Sequence, residues 1–346
     1  MMSRDDHRRS QIATPNSKEQ AMGAMHSLSE IAQEISRHDS IVVISHYSPD
    51  PDAYGSSCGL TLALQSAGKQ VVCVNEDGAS ERLDFIPGVR AVQSEFPENF
   101  SELLIAVDCG DARRVGDRLS AGVGKFKRVI NIDHHSSNDL FGSFNFVDAQ
   151  ASSTAELVLK LLEEMRIPIS SAVATCLFAG LSADTGSFKH SSTTAEAFAV
   201  AGRLVGYGAI PSRIAQELYA QNTLATMKLQ AEAIAGLGLL AGGKVAEVVV
   251  TTEMAKRLGA NPEETDELKQ VAQSIKGVLA SVVIREDEDI WRVSLRSRDP
   301  RYNVAELAER FGGGGHKCAA AFRWRKTLAD LRAKLHPLLE ALVAKD

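Results

Sequence analysis

Short apolar runs and stretches of helical periodicity alternate along the chain from residue 22 onward. The run Ser40-Ile41-Val42-Val43-Ile44 is β-branched and does not alternate with polar residues, so it predicts a central parallel strand covered on both faces. Leu103 to Val107 and residues 129–132 read the same way, and Gln70 to Val74 predicts one more strand. A helix is predicted over 22–37, where Met25, Leu28, Ile31 and Ile35 recur at helical spacing. Another is predicted over 56–67, where Leu60, Leu62 and Leu64 precede Gly68. Residues 154–165, 171–181, 195–205 and 210–219 also read as helices. Strand, polar loop, helix, strand is a βαβ unit, and ligands of such sheets sit outside the carboxyl ends of the strands.

A polar stretch at 221–226 separates this series from a second one that starts near Leu237. The second predicts strands over 244–251, 278–285 and 291–296 and helices over 267–276, 304–311 and 328–343, with Gly312 to Gly315 and His316 standing as a loop before the last helix. The two halves share no sequence repeat. The expected architecture is α/β in two domains: an N-terminal, mostly parallel doubly wound sheet with helices on both faces, a smaller C-terminal α/β domain, and a cleft between them.

Composition narrows the function classes. With 346 residues, 44% of them hydrophobic, the chain has material for two cores, while Met1 to about Glu19 is polar, lacks periodicity and is expected to be a tail. A net charge of -6 argues against a protein that coats long nucleic acid, whose affinity comes from excess Lys and Arg, but leaves room for a small phosphorylated ligand. Cys58, Cys73, Cys109, Cys176 and Cys318 form no CxxC pair, and no apolar N-terminal segment resembles a signal peptide or membrane span. Reduced thiols, a cytoplasmic location and no membrane partner are expected.

The chemistry gathers where predicted strands end. His46, Asp50 and Asp52 stand at spacings of four and two after the first strand, Asp108 follows another, and Asp133-His134-His135 closes the strand that runs through Ile132. Asp184 lies just past a predicted helix. Two adjacent imidazoles and a carboxylate at the end of a buried strand are costly unless a charge organises them. An aspartate at one strand end is ordinarily a cap or a loop residue; the joint occurrence at successive ends turns the reading toward metal. His46, Asp50, Asp52, Asp108, His134 and Asp184 offer two imidazoles and four carboxylates, a set suited to two divalent ions, Mn²⁺ first and Mg²⁺ second, with a carboxylate bridging. Zinc would favour more nitrogen or sulfur.

These residues lie in motifs that resemble the DHH phosphoesterase superfamily, in the DHHA1-bearing branch of oligoribonuclease and 3′-phosphoadenosine 5′-phosphate (pAp) phosphatase proteins, the NrnA-like group. Ser45-His46 with Pro49-Asp50-Pro51-Asp52-Ala53-Tyr54-Gly55-Ser56 resembles the first motif, Val107-Asp108 the second, Asp133-His134-His135 the third and Ser182-Ala183-Asp184-Thr185-Gly186 the fourth. Ser294-Leu295-Arg296-Ser297 and Gly312-Gly313-Gly314-Gly315-His316 with Ala319-Ala320 are similar to the DHHA1 substrate-binding motifs. The resemblance implies one metal on His46, Asp50 and Asp108 and the other on Asp52, Asp108, His134 and Asp184. It makes His135 the residue that contacts the phosphate or protonates the leaving oxygen, with Asp133 orienting the histidine pair. Arg296, Ser297, Gly313, Gly314, Gly315 and His316 are then expected to bind substrate. The implied domains are a tail and first helix at 1–37, the DHH catalytic domain at 38–205, a helical connection at 206–236 and the DHHA1 domain at 237–346.

Two positions depart from the family pattern: Pro51 stands where glycine usually separates the two aspartates, and Ala321 where another glycine is usual. Neither removes a ligand. Cys109 reads as a buried small side chain and His190 as a polar loop histidine without a task. The expected function is a dinuclear-metal phosphoesterase acting on short single-stranded RNA, on pAp, or on both. The rivals are a phosphodiesterase for cyclic or linear dinucleotides and, from another class, a nucleotide-binding regulator without catalysis. A homodimer is compatible with either reading.

Overall fold

The computed structural model of the chain describes residues 23–99, 102–265 and 267–344. The expected tail and the predicted helix start at Met22 lie outside the described residues. The chain divides after Ile214 into two compact units.

In the first unit α1 (Leu28–Ser36) is started by a capping box in which Ser27 and Glu30 bond each other's backbone N–H. There follow β1 (Ser40–Ile44), α2 (Pro51–Ser66), β2 (Gln70–Val74), β3 (Leu103–Val107), the single-turn α3 (Ser120–Val123), β4 (Arg128–Asp133), β5 (Phe144–Val147), α4 (Thr154–Glu164), α5 (Ser171–Asp184) and α6 (Ala195–Gly206), and α7 (Pro211–Tyr219) spans the division. The strands form one sheet in the order β2-β1-β3-β4-β5, every pair parallel. From β1 the chain winds outward to β2 and then returns to β3 on β1's other side, so the topological switch lies between β1 and β3, where ligands of such sheets bind.

The unalternating strand sequences follow from burial on both faces. Val42, Ile44, Leu104 and Ala106 share one core cluster with Val115, Leu119, Val123 and Phe126, so short helical turns and α3 cover that face. The intervening residues Ile41, Val43, Leu103 and Ile105 are equally buried and point to the opposite face, where α2, α4 and α5 pack. The closest approach there is between α2 and α5: a Cβ on Gly55 would lie 2.4 Å from the Cys176 carbonyl oxygen.

The structure differs from the sequence expectation at several points, including the unpredicted α3 and, in the second unit, two helices and two strands. Helix α2 begins at Pro51 rather than near residue 56, because Asp50 caps it by accepting from the backbone N–H of Asp52 and Ala53. Pro51 occupies the first helical position, where no N–H is needed and its fixed φ fits; the departure from the family pattern is therefore accommodated without strain. The short edge strand β5 is additional. So is the sheet structure of the glycine run, described next.

The second unit holds α8 (Leu224–Ala235), β6 (Gly238–Leu240), β7 (Val245–Val250), α9 (Thr252–Leu258), α10 (Leu268–Ser274), β8 (Ala280–Asp287), β9 (Ile290–Ser297), α11 (Val304–Glu309), β10 (Gly314–His316), β11 (Ala319–Trp324) and α12 (Leu328–Val343). Its sheet is mixed, in the order β10-β11-β9-β8-β7-β6, with β7 and β8 the parallel pair. α11 and α12 cover one face and α8, α9 and α10 pack on the other, where Leu229 and Ala233 of α8 join Ala246 and Val248. Gly314 to His316 form an edge strand against β11 instead of a free loop. Among the described residues no helix is long and apolar enough to cross a membrane.

Replacing Gly55 by Ala forces a methyl group against backbone that cannot rotate away, so urea unfolding is expected to show a loss of about 1–3 kcal/mol. An unchanged midpoint would contradict the close α2–α5 packing.

Candidate metal centre

Asp108 follows β3 and adopts φ 58°, a left-handed conformation that aspartate tolerates better than most residues. The bend turns its buried carboxylate toward three imidazoles. His46 Nε2 lies 3.4 Å from Asp108 Oδ2, while His134 Nε2 and His135 Nδ1 are each 3.7 Å from Oδ1. His46 Nδ1 is 2.8 Å from the Tyr47 carbonyl oxygen and His134 Nδ1 is 3.4 Å from that of Ala151. A carbonyl only accepts, so Nδ1 carries a proton in both rings; Nε2, facing the carboxylates, holds a second proton without a cation and would offer its lone pair to one.

Ligand atoms of His46, Asp50 and Asp108 lie within 4.8 Å of one another, and so do those of Asp52, Asp108 and His134. Asp184, the last residue of α5, reaches His134 Nε2 at 3.1 Å. The two groups share Asp108, so the donor set fits two cations with a common carboxylate.

Asp52 is held in place by the start of α4. Its Oδ2 accepts from the Thr154 N–H at 2.7 Å and its Oδ1 from the Ala155 N–H at 3.0 Å, with Ser56 Oγ adding a contact at 3.2 Å. A Cβ on Gly180 would lie 2.5 Å from Asp52 Oδ1, so α5 has to carry glycine at this point. The Thr154 hydroxyl donates to Asp108 Oδ1 at 3.0 Å. Asp133, fully buried, accepts from His135 Nδ1 at 2.7 Å and from Asn138 Nδ2 at 2.6 Å; Asn138 and Asn131 also donate to the Cys109 carbonyl.

Residues 40–181 match the DHH family, N-terminal domain, and residues 243–344 the DHHA1 domain. The chain is 31% identical over 314 residues to the bifunctional oligoribonuclease and PAP phosphatase NrnA of Bacillus subtilis, covering 87% of this chain and 96% of the relative. The chain belongs to the NrnA family of DHH/DHHA1 proteins. The NrnA of Thermus thermophilus is 31% identical over 285 residues, with 81% and 82% covered. Among solved structures, an exopolyphosphatase-related protein from Bacteroides fragilis superposes with a TM-score of 0.83 at 26% identity, covering 91% of this chain and 97% of that one.

In this NrnA-family chain all eight DHH-motif side chains named from the sequence meet at the carboxyl ends of β1, β3 and β4 and the end of α5. In the second unit, β10 carries His316 and β9 carries Arg296. Ser297 is buried and its hydroxyl donates to the Asp299 and Lys317 carbonyls, on the face opposite Arg296. A Cβ on Gly313 would meet the Ala321 carbonyl at 2.1 Å, so that glycine serves the close packing of the edge, whereas Gly314 has open space beside it. His190 bonds the Asp184 carbonyl through Nδ1, and burial pushes the Cys109 thiol up, away from a reactive thiolate. Thr154, Asn138 and Gly180 carry positions that motif reading passed over. The Ser153-x-x-Glu156 cap signal before an apolar run was the visible sign that the start of α4 is fixed.

The electrostatics are those of a buried anionic cluster. Burial raises Asp184 to about 6, opposed by the bond from His134. Burial and the neighbouring Asp184 and Asp108 raise Asp52 well above the carboxylate range. For Asp108 burial pushes upward, but the bond from His46 and the charges of the imidazoles outweigh it and hold the carboxyl low. His46 is opposed by burial yet lifted by Asp108 and Asp50 to about 9. Carboxylates this crowded recruit protons when no cation is present, and a divalent ion releases them.

A histidine raised from 6.5 to about 9 contributes stability that is complete below pH 6.5 and disappears as pH rises through about 9. The raised Asp184 acts in the same sense between its ordinary 3.8 and about 6. The melting temperature of metal-free protein is therefore expected to fall from pH 6.5 to 9, and saturating Mn²⁺ to remove that fall; a flat metal-free profile would refute the coupling. Thr154→Val keeps the shape but removes the hydroxyl on Asp108, and titration calorimetry should show Mn²⁺ affinity lowered about 10–100-fold, with Thr154→Ser close to wild type.

Proposed function

We propose that this chain is a dinuclear-metal phosphoesterase that hydrolyses short oligoribonucleotides and pAp to mononucleotides, with Mn²⁺ favoured over Mg²⁺. The observation that carries the reading is one buried carboxylate, Asp108, within 3.4–3.7 Å of three imidazoles at the switch point of a parallel sheet. The names of the relatives, oligoribonuclease and PAP phosphatase, support the substrate class. Catalysis belongs to residues 38–205 and substrate binding to 237–346, joined by the helical connection 206–236. The five cysteines are thiols, which suits the reducing cytoplasm, where we place the activity.

His46, Asp50 and Asp108 would hold one ion, and Asp52, Asp108, His134 and Asp184 the other. Bound divalent ions supply Lewis-acid polarisation of the phosphoryl group and make a nucleophile available at neutral pH. Asp133 fixes the His135 ring through Nδ1 and, against the effect of burial, raises its proton affinity. His135 is thereby suited to give a proton to the leaving oxygen as the P–O ester bond breaks and the oxygen of water bonds to phosphorus. Arg296 offers the planar fork that matches a phosphate, and His316 a second donor, to the terminal nucleotide.

Turnover of 5′-labelled pApA and of pAp with Mn²⁺, and its loss in EDTA, tests the reading. Asp108→Asn should reduce turnover to background. His135→Asn should lower kcat about 10²–10⁴-fold with Mn²⁺ affinity retained. Wild-type rates in Asp108→Asn, or a wild-type protein that binds dinucleotide without cleaving it, would overturn the proposal; the second result would make the chain a nucleotide-binding regulator.

A further inference from the structure

The sheet of the second unit has two unlike faces. Val282, Ile284, Val293, Leu295, Ala320 and Phe322 point into the core with α11 and α12. Alternation sends the intervening side chains to the other face, and the antiparallel register arranges them in rows. Arg296 stands beside Ala319, which stands beside His316. In the next row Ser294, Ala321 and Gly314 are neighbours. In the third, Arg292 is flanked by Arg323 on β11 and Arg285 on β8. Ala321 and Arg323 are exposed, and Arg292, Ser294, Arg296 and His316 half-buried.

The outline of this face is specific. Two rows that carry arginine, four residues apart along β9, are separated by Ser294, Ala321 and Gly314, where Ala321 is exposed and a Cβ on Gly314 would meet nothing within 4 Å. Four strand residues span about 13 Å, at ~3.3 Å each. The ~3.4 Å per nucleotide of a stacked strand is its rise along the axis, and the backbone winds around that axis, so neighbouring phosphates lie roughly twice as far apart and the span takes about two phosphate steps. Past the third row the face ends in an acidic run, Glu286 and Asp287 at the end of β8 and Glu288 and Asp289 in the β8–β9 turn. Asp287 pairs with Arg292 at 2.5 Å, Glu286 accepts from Thr252, and Glu288 and Asp289 are exposed.

We propose that Arg292 and Arg323 form a second phosphate subsite for a single-stranded oligoribonucleotide whose terminal nucleotide is held by Arg296 and His316, and that the acidic β8–β9 turn ends this track. The inference rests on the phosphoesterase reading above and deepens it. Guanidinium forks grip a phosphate two nucleotides or more from the end, and Ala321 replaces the family's usual glycine on the floor between the rows without closing it. Carboxylates at the turn repel the phosphates of a longer strand. Length preference would then be built into one sheet face, in a chain whose net charge of -6 disfavours long nucleic acid.

The test is kcat/KM of the full Mn²⁺-loaded chain on pAp and on 5′-labelled oligoribonucleotides of two, four and eight nucleotides, at two salt concentrations. For the wild type it should rise from two to four nucleotides and gain nothing at eight. In R292E/R323E the ratio of the four-nucleotide value to the pAp value should fall about tenfold, and the salt slope on the longer substrates by about one. R323E alone, at an exposed position, should move the ratio the same way and serves if the double variant does not fold. E288Q/D289N should extend the gain to eight nucleotides. A wild-type ratio in R323E, or a wild type that prefers eight nucleotides to four, overturns the inference. Absence of turnover on every substrate by the wild type would instead overturn the phosphoesterase reading.

Discussion

The first unit is arranged around the charge of one carboxylate. Asp108 sits where the sheet winding reverses, is almost entirely excluded from water, and is bent by its left-handed backbone toward His46, His134 and His135. An isolated ionised carboxylate at such a depth would be several kcal/mol unfavourable. Here protonated imidazoles and the Thr154 hydroxyl offset that cost, and the Nε2 atoms of His46 and His134 that face inward belong to rings whose other nitrogen is held by a backbone carbonyl. The local strain at Asp108 is stored where the surrounding contacts are numerous enough to hold it.

Rigid secondary structure, more than loops, supplies the other groups. Asp52 lies in the first turn of α2, clamped by the amides that open α4; Asp184 closes α5; Asp50 caps α2 while facing His46. Each position is therefore fixed by the ends of helices that also pack against the sheet, and the absence of side chains at Gly55 and Gly180 lets α2 and α5 come close enough for this to happen. A site assembled this way tolerates little displacement, which suits chemistry that depends on sub-ångström placement of charge.

The arrangement is unevenly legible in the sequence, for physical reasons. β1, β3 and β4 are legible because strands buried on both faces must be continuous apolar runs, and the acidic and imidazole residues after them stand out against that background. The start of α2 is not, because Ser45 to Ser56 looks like a polar loop until Asp50 is recognised as a cap and Pro51 as a first helical residue. β5 is four residues long and carries Asn145, whose side chain is spent on the Gly142 turn, so its pattern is weak. β10 and the first half of β11 consist of glycine, histidine and alanine, weak strand formers by themselves, and owe their conformation to pairing with each other and, through β11, with β9. Contacts such as Thr154 to Asp108 span distant parts of the chain and leave no local signature.

The ligand set also constrains when the centre can come into being. His46 follows the first strand of the domain and Asp184 stands at the end of α5, and between them lie all the other strands of the sheet. No half of the centre can form from a local segment, since even His46 and Asp108 meet only when β1 and β3 have paired. During synthesis the cluster can therefore close only after α5 has emerged, so a cation held there would arrive late, at an already folded sheet, and would not nucleate it.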